Sequence, residues 1–342
     1  MKFIIIKLKN AIIPFGIYVF TTFLILYSSD NLIAAKNGTI LWALSIVPSM
    51  FPFFVATELL SYTNIISIIG KLLNNIMKPI FNVPGVGAFA LIMGIISGYP
   101  VGAKIVSNLK EQGICSDVEC ERLIAFTNNS GPLFIVGTVG ISMFHSQIIG
   151  FKLLIIHLLS CFLVGFFFRF WKSGIKPKVI HQIRNSHSAQ VKHIKKEISF
   201  YNLGEVLSYS IQSSIKSVLI IGGFVVLFSV IVSMLTSSQI LNVCSNFIKP
   251  ILRFFYIPES FSNSIIIGLI EVTNGLKFAA IPNNNISVII CSFLLGFGGI
   301  SVLLQILSIT SKAKISIKPY ILGKLLQASL SALFMYILLY KL

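Results

Sequence analysis

The sequence predicts an all-α polytopic membrane protein, and three observations support that prediction. Of its 342 residues, 55% are hydrophobic and only 11% are charged, and the mean hydropathy is +0.90. Soluble domains carry about 25% charged residues, so this chain could not cover a folded surface for water. Apolar runs of about 20 residues, long enough to cross a bilayer as helices, recur along the chain. Two of these runs are interrupted by glycine, proline or polar residues.

Seven apolar runs are predicted to span the membrane: 11–29, 39–60, 124–144, 147–170, 213–235, 286–307 and 317–340. Two further runs, 85–106 and 261–282, are interrupted at Ser97–Gly102 and at Glu271–Gly275. Such interruptions at membrane depth free backbone N–H and C=O groups from the helix, and only protein or a watery cavity can satisfy those groups. The interrupted runs are therefore predicted to be re-entrant helical hairpins.

The connecting segments are of two kinds. Stretches 64–81 and 239–256 carry apolar residues at roughly helical spacing, so we predict amphipathic helices in the membrane interface, with plain loops as the alternative. Segment 172–205 is rich in lysine, which predicts a basic cytoplasmic linker. The histidines of this linker and the five cysteines of the chain show no metal-ligand spacing, so no metal or cofactor is predicted.

Short phrases of the first half recur in the second half in the same order, which predicts an internal repeat. Lys78-Pro79 recurs as Lys249-Pro250, Gly94–Ser97 as Gly268–Glu271, Gly137–Ser142 as Gly296–Ser301, and Gly150–Leu154 as Leu322–Leu326. The predicted division is an N-terminal span at 1–38, a first repeat at 39–171, the linker at 172–205 and a second repeat at 206–342.

Lysine and arginine determine the predicted orientation, because they concentrate in cytoplasmic loops. They place the N-terminus, the first interrupted run, the linker and the segment Lys312–Lys318 inside, against a minority outside that includes Lys249 and Arg253. The first hairpin then enters from the cytoplasmic side and the second from the opposite side, which is the inverted repeat of many secondary transporters. The excess of lysine and arginine in these loops explains the net charge of +17, so nucleic-acid binding is not predicted.

The interruptions form the candidate substrate site, because inverted-repeat transporters bind substrates between discontinuous helices near the midplane. Hydroxyl, amide, phenol and acid groups lie at or near the interruptions, and a lysine follows each of them. The candidate residues are Ser97, Gly98, Tyr99, Lys104, Asn128, Asn129, Ser130, Glu271, Thr273, Asn274 and Lys277. The lysines and the positive N-terminal ends of helices would attract a carboxylate.

Two of these groups have structural alternatives. Glu271 could couple H⁺ or Na⁺ to transport, or it could form a structural ion pair with Lys277. Asn128 and Asn129 could line the cavity, or Ser130 could cap the helix that follows. The residues alone leave both pairs of alternatives open.

Four phrases of the chain resemble the YlbJ-type sporulation integral membrane proteins, which belong to the nucleoside-recognition Gate superfamily. The phrases are Pro48–Phe53, Ser97–Lys104, Asn128–Phe134 and Glu271–Gly275. The resemblance covers nearly the whole chain apart from the linker, and it makes both repeats Gate-like. It implies a role in endospore formation, a place in the outer forespore membrane and movement of dipicolinic acid toward the forespore.

The expected function is therefore a membrane transporter for a small aromatic dicarboxylate. An enzyme is not expected, since the chain shows no nucleophile–base pair or metal-ligand spacing. The alternatives are a carrier of nucleosides or other small solutes, by analogy with the superfamily, and a non-transporting membrane scaffold for sporulation. Expected partners are the anionic substrate, the lipid bilayer, H⁺ or Na⁺ as the coupling ion, and copies of the chain in a homo-oligomer.

Overall fold

The computed structural model describes residues 2–174 and 198–341. Most of the predicted linker, with its three histidines, lies at 175–197 and so outside the described residues. The described residues form fifteen α-helices, two π-helical segments and one short 3₁₀ turn, and contain no strand. The predicted all-α fold is confirmed.

The helices follow one another closely along the chain. They are α1 (Lys2–Leu26), α2 (Ser28–Leu41), α3 (Val47–Leu60), α4 (Ile65–Phe81), α5 (Gly87–Ile96), α6 (Val101–Glu111), α7 (Asp117–Phe126), α8 (Gln147–Phe168), α9 (Leu203–Ser237), α10 (Ile240–Phe254), α11 (Ser262–Ile270), α12 (Val272–Ala280), α13 (Asn285–Phe297), α14 (Gly299–Thr310) and α15 (Lys318–Tyr340). The π-helical segments, Trp42–Ile46 and Leu133–Met143, precede α3 and α8.

A long rod in the first half packs against a long helix of the second half. The rod consists of α2, the first π-helical segment and α3, and it lies along α9, which has 35 residues. At one end Ser237 donates to the Asp30 carboxylate at 2.6 Å, and at the other end Ser213 donates to Glu58 at 3.2 Å. Because the start of α2 meets the end of α9, the two rods run antiparallel.

The two predicted amphipathic helices are confirmed as α4 and α10. Each leaves large apolar side chains exposed along one stripe and carries lysine and asparagine elsewhere on its surface. The exposed apolar residues include Ile68, Leu72 and Ile76 on α4 and Val243, Phe247 and Ile251 on α10. Such a stripe suits the boundary between lipid headgroups and acyl chains.

Both interrupted runs fold back as helical hairpins. The arms of the first are α5 and α6, joined by Ser97–Pro100, and the arms of the second are α11 and α12, joined at Glu271. The second pair of arms touches through glycine, since a Cβ on Gly275 would lie 2.0 Å from the Gly268 Cα. The two predicted helical hairpins are thus present, whereas the inverted orientation of the two halves stays a prediction.

Two of the predicted spans contain breaks that the hydropathy pattern did not reveal. Run 124–144 consists of the end of α7, a non-helical stretch at 127–131 and the second π-helical segment. Run 286–307 is divided between α13 and α14 at Gly298, whose φ of +82° ends the first helix. The interrupting residues are few, so the average hydropathy stays high across both breaks.

The number of candidate spans also differs from the prediction. By length and apolar composition, four of the described helices can cross a membrane: Gln147–Phe168, Leu203–Ser237, the α13–α14 unit Asn285–Thr310, and Lys318–Tyr340. The number rises to six if each of two sharply bent helix pairs counts as one span, against the seven predicted. Run 124–144 explains part of this difference, because the break in it leaves helical pieces that are too short to cross a membrane.

Candidate functional site

The first hairpin break meets the break in run 124–144. The Tyr99 amide donates to the Asn129 carbonyl at 2.8 Å. Gly98, with a φ of +79°, packs against Gly131, where a Cβ on Gly98 would lie 3.0 Å from the Gly131 nitrogen. Only glycine adopts that backbone conformation readily. Backbone therefore lies directly against backbone where the two breaks join.

The second hairpin break meets the break between α13 and α14 in a similar way. A Cβ on Gly299 would lie 3.1 Å from the Gly268 carbonyl oxygen and 3.2 Å from the Val272 nitrogen. The second hairpin also reaches the neighbourhood of the first, because its arm α12 packs against the second π-helical segment, which follows the break that Gly98 and Tyr99 contact.

Asn128 and Asn129 are fully buried, and they join the first hairpin break to the break in run 124–144. Asn128 Oδ1 accepts from the Ala103 amide of α6 at 2.6 Å. Asn129 Nδ2 donates to the Phe126 carbonyl, where α7 ends, at 2.8 Å, and Asn129 Oδ1 accepts from Gln327 Nε2 of α15 at 3.0 Å. These amides satisfy backbone groups that the break releases from the helix, as a buried break requires.

The two predicted serines near this break are also buried. Ser97 shares a hydrogen bond of 2.9 Å with the Thr57 hydroxyl of α3. Ser130 is 3% exposed, but the helical segment after it begins without a side-chain cap. The capping role considered for Ser130 is therefore not observed.

A buried lysine reaches this cluster from the second half of the chain, and it was not among the predicted site residues. Lys324, which is 4% exposed, donates to the Asn128 carbonyl and, at 2.8 Å, to Gln327 Oε1. Gln327 in turn donates to the His157 carbonyl at 3.4 Å. The ammonium group lies just past the end of α7, where the negative end of the helix dipole stabilises its positive charge. A lysine inside the apolar run 317–340 was the signal that could have identified it, since such residues are costly and usually functional.

Glu271 caps the second arm of the second hairpin. It is 2% exposed, and its two carboxylate oxygens accept from the amides of Thr273 at 3.0 Å and Asn274 at 2.8 Å. An acid at a helix N-terminus accepts hydrogen bonds from free N–H groups, and the positive end of the helix dipole stabilises its negative charge. The considered ion pair with Lys277 is not found among the described residues, where Lys277 is exposed. Asn274 makes one long contact, 3.4 Å, to the Ser229 hydroxyl.

A half-open cavity of about 1040 Å³ lies among α3, α4, α6, α9 and α14. Its charged lining residues are Lys104, Lys216, Lys312, Glu58 and Glu111. The cavity reaches the first hairpin break, because Pro100 and Thr57 belong to its wall and Thr57 binds Ser97. Its charged groups are thus three ammonium groups and two carboxylates, which gives the cavity a positive balance.

Among the predicted site residues, Lys104 is the one that lines this cavity. Its ammonium group donates to Glu58 at 3.1 Å and to the Ser213 hydroxyl at 2.9 Å. Glu58, two residues before the end of α3, was not among the predicted site residues. The signal that could have identified it was an acid near the end of an apolar span.

Comparison with known proteins agrees with this architecture. Residues 43–161 match the Gate family, described as nucleoside recognition. Over 345 positions the chain is 34% identical to the sporulation integral membrane protein YlbJ of Bacillus subtilis strain 168, and the match covers 97% of this chain and 83% of that protein. The chain belongs to the YlbJ family of sporulation integral membrane proteins. No solved structure matches it.

Membership of the YlbJ family confirms the resemblance of the quoted phrases and identifies an integral membrane protein. The name of the relative denotes a membrane protein, and the Gate description denotes recognition of a nucleoside rather than a reaction. The Gate match includes the first hairpin, Lys104 and both buried asparagines, and it lies within the predicted first repeat at 39–171. The second predicted repeat at 206–342 lies outside the Gate match, so its Gate-like character stays a prediction.

Proposed function

We propose that this YlbJ-family chain is a secondary carrier that moves dipicolinic acid, a small aromatic dicarboxylate, across the outer forespore membrane during endospore formation. The observation that carries the proposal is the cavity that runs from the surface to the first hairpin break. A carrier needs such a path, because its substrate must pass from water to a site between discontinuous helices.

The charge of the cavity supports an anionic substrate. Lys104, Lys216 and Lys312 line it, against the acids Glu58 and Glu111. A cleft with a positive balance and low-dielectric walls concentrates anions near its mouth. Ile220 and Ile309 also line it and offer apolar surface for an aromatic ring. The cavity thus combines the two features that a ring with two carboxylates requires.

The hairpins supply the part of the carrier that could move. Both arms of each hairpin are short helices, and each break packs on a second break rather than on a continuous helix. Glu271, buried at the second break, is the proposed coupling group for H⁺ or Na⁺, and the predicted site residues of both breaks contact the substrate in the course of transport. Lys277 is exposed in this conformation, so in this proposal it contacts the substrate only at another step of transport and adds little to binding in the cavity.

A carrier for a neutral solute such as a nucleoside is the second candidate, and the words of the Gate description favour it. A membrane scaffold is the third. A scaffold has no need for a cluster of buried amides and a buried ammonium group, which are costly to place in a membrane interior.

Purified protein reconstituted into proteoliposomes tests the proposal. We expect uptake of radiolabelled dipicolinate that rises when a proton or sodium gradient is imposed, and no uptake of uridine. Uptake of uridine alone would favour the neutral-solute carrier, and no uptake of either compound would favour the scaffold. A fluorescent fusion in a sporulating host tests the location, and a signal at the outer forespore membrane is expected.

A further inference from the structure

Three helices meet at a single polar cluster in the cavity wall. Glu58 lies near the end of α3, Lys104 on α6 and Ser213 on α9. The Lys104 ammonium donates to Glu58 Oε2 at 3.1 Å and to Ser213 Oγ at 2.9 Å, and Ser213 Oγ donates to the same Glu58 oxygen at 3.2 Å. The cluster ties α3 to the other two helices through a single carboxylate oxygen.

The cluster faces the cavity. The Lys104 side chain is 36% exposed and the Glu58 side chain 13% exposed, so a solute in the cavity can reach the ammonium group without unfolding any element. Because the pair borders the cavity, a carboxylate that enters the cavity can take the place of the Glu58 carboxylate on the ammonium group.

Two further polar groups in the same wall are buried and have no partner among the described residues. Gln305 is 2% exposed and Ser107 is 4% exposed, and both line the cavity. The Gln305 Oε1 and Ser107 Oγ atoms make no hydrogen bond. Buried polar atoms normally have a partner. These two atoms lie behind the cavity surface, so a solute reaches them only if the wall formed by α6 and α14 moves.

We propose that Glu58 is an internal competitor for the substrate: it occupies the carboxylate site formed by Lys104 and Ser213, and a carboxylate of the substrate displaces it. The inference rests on the proposed function, since it assumes an anionic substrate. The displaced Glu58 no longer ties α3 to α6 and α9, so binding of the anion loosens the wall next to the first hairpin break. The same exchange discriminates against neutral solutes, because they cannot replace a carboxylate on an ammonium group.

Substitutions of Lys104 and of Glu58 are predicted to change the affinity for dipicolinate in opposite directions. This distinguishes competition from a structural ion pair. Binding of radiolabelled dipicolinate is measured by equilibrium dialysis with detergent-purified protein at low salt. Lys104→Gln removes the site, and we expect binding to weaken about tenfold or more. Glu58→Gln removes the competitor, and we expect binding to tighten by about threefold to tenfold. If the pair is only structural, both variants weaken binding or leave it unchanged, and the inference is overturned.

The controls separate loss of the site from loss of the fold. Lys104→Arg keeps the charge and should keep most of the binding. Lys110→Gln breaks a different ion pair on α6, with Asp117 at 2.9 Å, and since Lys110 is not a lining residue we expect no change in binding. Uridine binding, if present, should not respond to Glu58→Gln. If Glu58→Gln raised the affinity for uridine as much as the affinity for dipicolinate, this would contradict competition between carboxylates.

The inference and the proposed function fail in different assays. If the dialysis shows opposite signs but proteoliposomes take up no dipicolinate, the carrier function is wrong and the competition stands. If proteoliposomes take up dipicolinate but both variants weaken its binding, the carrier stands and the competition is wrong. If the wild-type protein binds no dipicolinate, both are wrong.

Discussion

The two hairpins solve the same problem, backbone groups freed at a helix break, in different ways. The first break is completed by residues from elsewhere: the Tyr99 amide donates to the Asn129 carbonyl, and the Ala103 amide donates to Asn128 Oδ1. Lys324 and Gln327 of α15 in turn bind these two asparagines. The second break is completed by its own residue, because Glu271 binds two amides of the arm that follows it.

The difference shows where the two halves of the chain depend on each other. The two asparagines that complete the first break are bound by α15 residues more than half the chain length away, so the geometry of this break depends on how the halves are packed. The capping contacts of the second break lie within three residues and would survive a movement of the halves. A rearrangement during transport would therefore disturb the first break more than the second. Four substitution experiments test this comparison.

Both hairpins should fail completely if their close approaches are blocked. A Cβ on Gly275 would lie 2.0 Å from the Gly268 Cα, and a Cβ on Gly94 would lie 1.8 Å from the Thr127 carbonyl oxygen. Backbone atoms cannot give way as side chains do, so Gly275→Ala and Gly94→Ala should each cost more than about 3 kcal/mol. The measurement is the yield of monodisperse protein on size-exclusion chromatography.

The matched control for the glycine substitutions is Gly223→Ala. Gly223 lies within α9 with nothing within 4 Å of the added Cβ. Alanine should leave stability unchanged or raise it by about 0.5–1 kcal/mol, because it is the better helix former. A well-folded Gly275→Ala protein would show that the arms of the hairpin are not in contact in the membrane.

The asparagines near the two breaks should differ sharply. Asn129→Leu removes the hydrogen bonds that Asn129 makes with the Phe126 carbonyl and with Gln327 Nε2. The Phe126 carbonyl keeps the Cys161 thiol as a donor at 3.1 Å, and Gln327 keeps the His157 carbonyl at 3.4 Å, so neither group is left without a partner. The loss of two buried hydrogen bonds should cost about 1–3 kcal/mol. Asn274 makes one long contact and is half-buried. Asn274→Leu should therefore cost less than about 1 kcal/mol. Thermal denaturation of the purified variants measures both, and equal losses would refute the contrast between the breaks.

Glu271→Gln should have an intermediate effect. The amide keeps one acceptor oxygen for the free N–H groups and loses the other together with the charge, so we expect a loss of about 1 kcal/mol. Lys277 is not its partner, and the double change Glu271→Gln, Lys277→Met should not restore what the single change loses. If Glu271 couples ion movement to transport, the folded Glu271→Gln protein should lose gradient-driven uptake of dipicolinate. Wild-type uptake by that protein would exclude the coupling role.

The sequence predicted the features that depend on local pattern. The fold class follows from the composition, because in lipid the backbone N–H and C=O groups must bond to each other, as they do within a helix. The hairpins, the amphipathic helices and the interruption at Glu271 were visible as glycine, proline, polar or periodic residues. Asn128 and Asn129 were predicted from their polarity, but the donors that reach them from α15 were not.

The parts that escaped prediction depend on contacts between distant residues. Lys324 lies 196 positions from Asn128 along the chain, and a single sequence gives no sign of that pairing. Lys104 was predicted as a substrate ligand, yet its partner Glu58 belongs to a different helix. The breaks at 127–131 and at Gly298 were hidden for another reason, since a few polar or glycine residues barely change the hydropathy of a long apolar run.

The smallest effect is expected at Lys277, the residue of the second half that was predicted together with Lys104 as a carboxylate ligand. Lys104 lies in the cavity wall and binds two side chains, whereas Lys277 is exposed and forms no ion pair within the described part of the chain. Lys277→Gln should change stability by less than about 0.5 kcal/mol, as substitutions at exposed positions usually do. It should also change dipicolinate binding less than about twofold, because an exposed ammonium group is screened by water and salt. Equilibrium dialysis with Lys277→Gln and Lys104→Gln side by side is the measurement. Equal weakening by the two variants would show that both halves contribute a lysine to one carboxylate site, and the contrast between the hairpins would then apply to stability alone.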